Sequence, residues 1–149
     1  MEPSAGAFFG REHRLAVRVY YEDTDFTGVA YHGALVRFFE RGRSDGLRCA
    51  GVHHTELLER PDPAAFTVTR LAIDFIAAAR IDDALTVRTT FDEIRGPRLF
   101  IGQAITRGES LIARAEVEAA CIRPDGRARR PPAELAERLA PYLKTAKAP

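Results

Sequence analysis

A short polar segment near the start of the chain carries the side chains best suited to chemistry. Residues 22–28 contain three carboxylates, Glu22, Asp23 and Asp25, together with two threonines and a glycine. This composition disfavours both a strand and a helix interior, so it predicts a loop. A carboxylate in a loop ahead of a helix can act as a general base that activates water, or as a nucleophile that takes an acyl group.

A helix predicted after this loop would supply the other half of a reactive site. From about Tyr31 to Ala50 apolar residues such as Leu35 recur at helical spacing, and Gly51 is well placed as the C-terminal stop. The first backbone N–H groups of a helix have no partner within it, and the helix dipole adds positive potential there. The amides near Tyr31 and His32 are therefore candidates to stabilise a developing oxyanion.

Alternating apolar residues predict strands on both sides of this helix. One strand spans Leu15–Tyr21, and Phe66–Arg123 is typical of four more strands in a meander. The breaks at Arg95-Gly96-Pro97 and Arg107-Gly108-Glu109 are short enough for hairpins. A second, short helix is expected over Thr55–Glu59, with Thr55 as its N-cap.

This order of elements predicts an α+β protein in which an antiparallel sheet of about five strands wraps around one long central helix, the hotdog arrangement. Gly33, Gly42 and Gly46 lie inside the helix, where each costs about 1 kcal/mol relative to alanine. Their presence indicates that something packs very close to the helix. An open sheet edge and leftover apolar surface predict a homodimer or homotetramer.

Length and charge limit the other classes of function. The 149 residues fit a single domain over 1–149, with 1–12 as a frayed leader and 132–149 as a C-terminal helix and tail. A net charge of +1 gives no general attraction to nucleic acid. The chain has no apolar run long enough for a membrane span, and Met1–Gly10 is not a secretory signal, so we expect a cytoplasmic protein.

The cysteines and histidines give no sign of a metal or cofactor. Cys49 and Cys121 lie far apart in the sequence, and we expect both to be reduced core thiols. His13, His53 and His54 show no ligand spacing with a carboxylate or cysteine. We therefore expect no metal site and no cofactor.

Two motifs resemble a known family. Tyr20–His32, which reads Tyr-Tyr-Glu-Asp-Thr-Asp-Phe-Thr-Gly-Val-Ala-Tyr-His, and Phe38–Arg43, which reads Phe-Phe-Glu-Arg-Gly-Arg, are similar to the 4-hydroxybenzoyl-CoA thioesterase family. The YbgC-like acyl-CoA thioesterases associated with the Tol-Pal cluster are the closest group within it. Weaker similarity at Ile73–Phe75, Ala79–Asp83 and Asp125–Arg127 extends the resemblance over roughly residues 15–135. It implies a hotdog fold and hydrolysis of an acyl-CoA thioester to free acid and CoA.

The resemblance also implies roles for individual residues. Asp25 occupies the position of the family's catalytic carboxylate, as general base or nucleophile. The polarising backbone amide lies at the position of His32, whose side chain is a second catalytic candidate. The residues expected to contact the substrate are Phe26, Gly28, Val29, Tyr31 and Leu35.

This sequence departs from the family pattern at the acyl pocket. Phe26 is larger than the usual small residue, and Ala34 and Leu35 stand where many relatives carry Asn and Tyr. These changes predict a pocket suited to a short aliphatic or an aromatic acyl group. The candidate arginines for the CoA phosphates are Arg80, Arg95, Arg98 and the group Arg127–Arg130.

Other readings stay open at this point. Asp25 can be a turn residue, and the chain can be a non-catalytic hotdog module that binds acyl-carrier protein or lipid-synthesis enzymes. A hotdog dehydratase is a further alternative, although His32 does not fit its usual arrangement. A serine hydrolase is disfavoured because the chain has no Gly-x-Ser-x-Gly segment.

Overall fold

The computed structural model of the protein describes residues 1–145, and a six-stranded antiparallel sheet dominates it. The strands are β1 Ala7–Phe9, β2 Glu12–Arg18, β3 Ala65–Phe75, β4 Ala84–Arg95, β5 Arg98–Arg107 and β6 Ser110–Ile122. The helices are α1 His32–Cys49, α2 His54–Glu59 and α3 Ala133–Leu139. Short 3₁₀ turns occupy Tyr21–Asp23 and Ala140–Tyr142.

The strands lie in the order β1-β2-β4-β5-β6-β3. The hairpins predicted between β4 and β5 and between β5 and β6 are confirmed. However, β3 pairs with β6 at the far edge of the sheet, so the predicted four-strand meander is wrong for β3. Period-2 alternation identifies a strand but does not say which strand lies beside it.

The N-terminal segment is more ordered than the sequence indicated. Residues 7–9 pair with β2 in the register Ala7↔Arg14, and Gly10 takes a positive φ of 64° in the connecting turn. The backbone N–H of Gly6 donates to Asp45 Oδ2 of α1 at 2.8 Å. The prediction of a frayed leader is therefore wrong for residues 7–12, and the sheet has six strands rather than about five.

Helix α1 is confirmed almost to the residue, with Tyr31 as N-cap and Ala50 as C-cap. Its buried face includes Phe38 and Phe39, which are among the largest fully buried side chains of the protein. Burial of such a side chain contributes about 1.5–3 kcal/mol. They join residues of β4 and β5 in one core cluster, as the hotdog prediction requires.

Two glycines of α1 set the distance between this helix and β4. A Cβ built on Gly42 would lie 2.5 Å from Cγ1 of Val87, and one on Gly46 would lie 3.0 Å from the Phe91 ring. The interpretation that these glycines permit close packing is confirmed. Gly33 instead makes room for Tyr31, because a Cβ built on Gly33 would lie 2.7 Å from the Tyr31 ring.

The remaining elements follow the predictions with small shifts. Helix α2 begins at His54, with His53 rather than Thr55 as its N-cap. The terminal helix ends at Leu139 and continues as a 3₁₀ turn, while residues 146–149 of the predicted tail lie outside the described residues. Cys121 is buried but Cys49 is exposed, so the prediction of a core thiol is wrong for Cys49. Within residues 1–145, no helix is long and apolar enough to cross a membrane.

Candidate active site

The acidic segment forms a tight loop between β2 and α1. The N–H of Asp25 donates to the carbonyl of Val29 at 3.0 Å, and the N–H of Gly28 donates back to the carbonyl of Asp25 at 3.1 Å. Gly28 takes a positive φ of 77°, which glycine adopts without steric cost. The predicted loop is confirmed, and it presents the Asp25 side chain to solvent at its tip.

One oxygen of the Asp25 carboxylate is held and the other is not. Oδ1 accepts hydrogen bonds from the Thr27 backbone N–H at 2.8 Å and from the Thr27 hydroxyl at 2.5 Å. Among residues 1–145, the hydrogen bonds to the Asp25 carboxylate that meet ordinary distance and angle limits all end on Oδ1, and the Val29 and Asp25 N–H groups make weaker approaches to the carboxylate. The bond from the Thr27 hydroxyl, followed by that from its backbone, lowers the pKa of Asp25 below the usual aspartate value. The group is therefore an anion at neutral pH, as a base or nucleophile must be.

Asp23 shapes the loop from inside. Its side chain is buried, and Oδ2 accepts the backbone N–H of Tyr20 at 2.8 Å. Arg37 of α1 approaches its Oδ1 at 3.5 Å and also donates to the Tyr31 hydroxyl at 2.9 Å. The Asp23 carbonyl accepts the N–H of Tyr31 at 3.2 Å. These contacts fasten the loop to the first turns of the helix, which leaves Asp23 in a structural role.

The first turn of α1 offers free donors beside this loop. Tyr31 is the N-cap, and its carbonyl accepts the N–H groups of Ala34 at 3.0 Å and Leu35 at 3.4 Å. The backbone N–H groups of His32 and Gly33 have no hydrogen-bond acceptor within residues 1–145. Both groups lie at the positive end of the helix dipole, where an oxyanion is stabilised. The His32 side chain is exposed and meets the Tyr31 ring edge-on at 6.2 Å.

The residues predicted to bind substrate have different surroundings. Phe26 is fully exposed at 101%. Gly28, Val29 and Tyr31 are half-buried, whereas Leu35 is 4% exposed within the core cluster. Phe26 and Leu35 therefore lie in opposite surroundings, and their contacts with an acyl group stay predictions.

A cavity of about 380 Å³ lies away from this loop, toward the C-terminal end of α1. Its lining includes Leu15, Arg48 and Val52. Volume alone would make it a candidate site. It has no contact with Asp25 or with the free amides of α1, so the loop remains the better candidate.

Most of the arginines predicted to hold CoA phosphates already face carboxylates. The ion pairs are Arg95–Glu93, Arg98–Glu118, Arg127–Asp125 and Arg129–Asp62. Arg80 is exposed and lies closer to the loop, because its neighbour Ala79 accepts the N–H of Ala30 at 2.8 Å.

Sequence spacing missed a cluster of ionisable side chains near the C-terminal end of α1. Nε2 of His13 lies 2.8 Å from Oδ2 of Asp45, and Sγ of Cys49 lies 3.6 Å from the same oxygen. One potential ligand atom from each residue falls within 4.8 Å of the others. The absence of ligand spacing in the sequence therefore did not reveal that His13 lies beside a carboxylate and a cysteine.

The His13 cluster fits a structural clasp better than a metal centre. His13 is fully buried, and its Nδ1 has no hydrogen-bond partner within residues 1–145. A metal on Nε2 would leave a proton on Nδ1 without an acceptor, whereas histidine ligands normally donate that proton to a partner. Donation from Nε2–H to Asp45 instead joins β2 to α1.

Comparison with known proteins gives the family. The Thioesterase superfamily profile matches residues 27–118, which span the end of the loop, α1 and most of the sheet. The chain belongs to the thioesterase superfamily.

Individual relatives and structures agree with this membership. The chain is 42% identical over 106 residues to the acyl-CoA thioesterase YbgC of Haemophilus influenzae, covering 71% of this chain and 77% of that protein. A probable thioesterase from Bartonella henselae superposes with a TM-score of 0.78 at 41% identity, over 81% of this chain and 99% of that one. A 4-hydroxybenzoyl-CoA thioesterase in complex with 4-hydroxybenzoyl-CoA shares the fold, with a TM-score of 0.77 at 21% identity over 87% of this chain and 99% of that one.

Thr27 is the part of the candidate site that sequence reasoning missed. Its contribution depends on a side-chain contact across a tight turn, which residue types alone do not reveal. The available signal was the spacing Asp-x-Thr, since a side-chain oxygen of Asp commonly accepts the backbone N–H two residues on.

Proposed function

We propose that this thioesterase-superfamily protein hydrolyses acyl-CoA thioesters to a free acid and CoA. The observation that carries the proposal is the ionised Asp25 carboxylate with one open oxygen. Its loop is hydrogen-bonded to the start of α1, where two backbone N–H groups are free. The Haemophilus influenzae relative is an acyl-CoA thioesterase, which supports the choice of an acyl-CoA substrate.

The two halves of the site have complementary tasks. The thioester carbonyl oxygen would face the N–H groups of His32 and Gly33, which stabilise the negative charge that develops on it. As a base, Asp25 takes a proton from water while the water oxygen bonds to the carbonyl carbon, and the C–S bond then breaks with protonation of the CoA thiolate. As a nucleophile, Asp25 forms an acyl anhydride as the C–S bond breaks, and water then cleaves the anhydride. Both routes need an ionised Asp25.

The substrate's other parts are assigned from the sequence. We propose a short aliphatic or an aromatic acyl group next to Phe26, Gly28, Val29, Tyr31 and Leu35. Arg80, Arg95, Arg98 and the group Arg127–Arg130 remain the candidates for the CoA phosphates, and those already in ion pairs would exchange a carboxylate for a phosphate. We propose a cytoplasmic location as well, where acyl-CoA is made and used.

A homodimer is part of this proposal. Strand β3 pairs on one side only, with β6, so its outer edge offers unpaired backbone groups. Large apolar side chains are exposed on and just after this strand: Val68, Leu71, Phe75 and Ile76. A second copy that adds its own β3 would satisfy the edge and cover this surface. A homotetramer would pair two such dimers.

Turnover on a panel of acyl-CoAs, followed as release of free thiol, tests the function. Asp25→Asn should lower kcat by about 10²-fold or more on the best substrate, the scale of a positioned acid–base group. Asp125→Asn is a matched control, because Asp125 is exposed and its Oδ1 accepts the N–H of Arg127 two residues on. It should keep the parent's kcat.

Two results would contradict the proposal. Turnover of Asp25→Asn within a few-fold of the parent would remove the catalytic role of Asp25. An inactive parent on the whole panel, combined with capture of acyl-carrier protein, would favour the non-catalytic binding module.

A further inference from the structure

The Asp25 carboxylate is asymmetric in a way that one residue explains. Both donors to Oδ1 belong to Thr27, its backbone N–H at 2.8 Å and its hydroxyl at 2.5 Å. The hydroxyl gives the shorter contact, in the range of charge-assisted O–H···O⁻ bonds. With two donors on the same oxygen, the plane of the carboxylate is fixed relative to the loop.

The Thr27 side chain takes no part in core packing. The residue is exposed at the loop tip and is absent from the hydrophobic core. Thr24, the other threonine of the loop, shows the contrast, because its hydroxyl donates to the carbonyl of Tyr21 at 2.8 Å and so closes a turn. The Thr27 hydroxyl bonds to a carboxylate instead.

We infer that Thr27 is a positioning residue of the hydrolytic reaction, which holds Oδ1 of Asp25 and thereby makes Oδ2 the oxygen that reacts. The inference rests on the proposed function, in which Asp25 is the base or nucleophile. An oxygen that already accepts two hydrogen bonds has little capacity left to take a proton or attack a carbon. Oδ2 is therefore the oxygen that takes the proton or attacks the carbonyl carbon, and the fixed carboxylate plane sets its direction of approach.

The Thr27 hydroxyl also affects the pH range over which the site is active. Its hydrogen bond stabilises the charged carboxylate, which holds the pKa of Asp25 below its usual range. Activity should therefore persist to a lower pH than an unassisted aspartate permits. Loss of the hydroxyl would raise the pKa of Asp25, so the acidic limb of kcat/KM against pH would move upward.

Three variants separate this role from a structural one. Thr27→Val keeps the shape and the backbone N–H but removes the hydroxyl, Thr27→Ser keeps both donors, and Thr24→Val is the matched control in the same loop. We expect Thr27→Val to move the acidic limb to higher pH, because the carboxylate loses the hydroxyl's hydrogen bond. We also expect kcat to fall by about tenfold with KM unchanged, because the carboxylate is less firmly oriented. Thr27→Ser should retain the parent profile, as should Thr24→Val.

A second measurement needs no substrate. The ¹³C chemical shift of the Asp25 carboxyl carbon, followed by NMR against pH, should titrate at higher pH in Thr27→Val than in the parent and in Thr27→Ser. Circular dichroism would establish that each variant is folded before it is compared.

Two outcomes would overturn the inference. One is a Thr27→Val enzyme whose pH profile and NMR titration coincide with those of the parent while Asp25→Asn is inactive, which would leave the proposed function intact. The other is a Thr27→Ser enzyme as impaired as Thr27→Val, since the hydroxyl would then not be the cause. Full activity of Asp25→Asn would instead show that the catalytic assignment itself had failed.

Discussion

Asp23 and Asp25 stand two positions apart and have opposite surroundings. Asp23 is 4% exposed, and its two oxygens face a backbone N–H and a guanidinium. Asp25 lies in solvent with one oxygen free. Both oxygens of Asp23 are engaged in contacts that hold the loop, whereas Asp25 keeps one oxygen available for a substrate. The division of labour follows from surroundings, because the residue type is the same.

At the scale of single residues, Phe26 gives a testable prediction. Because its side chain is fully exposed, Phe26→Ala should change the free energy of unfolding by no more than about 0.5 kcal/mol. If the ring borders the acyl group, kcat/KM for longer acyl-CoAs should rise relative to short ones, by roughly tenfold per well-placed methylene at most. Chain-length profiles of the parent and of the variant check this. Phe9→Ala, at an exposed aromatic residue of β1, is the control.

The two profiles also decide where the pocket lies. Superimposable profiles would mean that Phe26 does not border the acyl group. If the variant also dissociated more readily into single chains, Phe26 would belong to the interface between copies.

At the scale of elements, the packing of α1 on β4 depends on residues that lack a side chain. Gly42 and Gly46 are one turn apart on the face of α1 toward Val87 and Phe91. Two glycines cost helix propensity, and they bring the backbone of α1 close to the sheet. The same helix carries the free amides of His32 and Gly33 at its N-terminus.

Gly42→Ala tests this packing. Helix propensity alone would make alanine more stable by about 1 kcal/mol. The added methyl would lie 2.5 Å from Cγ1 of Val87, and overpacking of this kind costs about 1–3 kcal/mol. We expect a net loss of stability, measured as a lower denaturant midpoint at fixed protein concentration. Arg48→Ala, at an exposed position of α1, should leave the midpoint unchanged; a more stable Gly42→Ala would contradict the close approach.

Sequence patterns predicted some elements well and others poorly for physical reasons. Helix α1 has a long apolar period and a glycine stop, so its bounds were nearly correct. Strand β1 has only three residues and owes its order to contacts with β2 and Asp45, which no local pattern contains. The place of β3 beside β6 is likewise a matter of long-range pairing.

The same limit applies to the candidate site. Asp25 was found because a motif resembled a family, and the amides of α1 because a helix start was predicted. The Thr27 hydroxyl bond and the His13–Asp45 contact depend on how distant or tightly turned backbone brings atoms together. The spacing Asp-x-Thr was the one signal for the Thr27 contact, and no spacing in the sequence indicates the His13–Asp45 contact.

At the scale of the whole molecule, the outer edge of β3 combines unpaired backbone groups with exposed apolar side chains, so we expect a second copy to pair with it. We expect Phe75→Lys to shift the protein from dimer toward monomer, because a lysine on an edge strand opposes pairing with another strand. Sedimentation at micromolar concentration measures the change. Leu58→Lys, at an exposed apolar residue of α2, is the control and should leave the mass unchanged. A parent that sediments as a 16.5 kDa monomer would remove the proposed dimer.

The strand order also has a consequence for how the chain reaches its native state. Strands β4, β5 and β6 are joined by tight hairpins, so their contacts close small loops and can form early. Strand β2 can pair only once β4 has been synthesised. Strand β3 can pair only once β6, the last strand in the chain, has been synthesised. During synthesis, the loop of residues 22–28 and α1 therefore leave the ribosome well before strands β4–β6, against which α1 packs. We expect the loop of residues 22–28 to be among the last parts to become ordered, after the β4–β6 hairpins have formed.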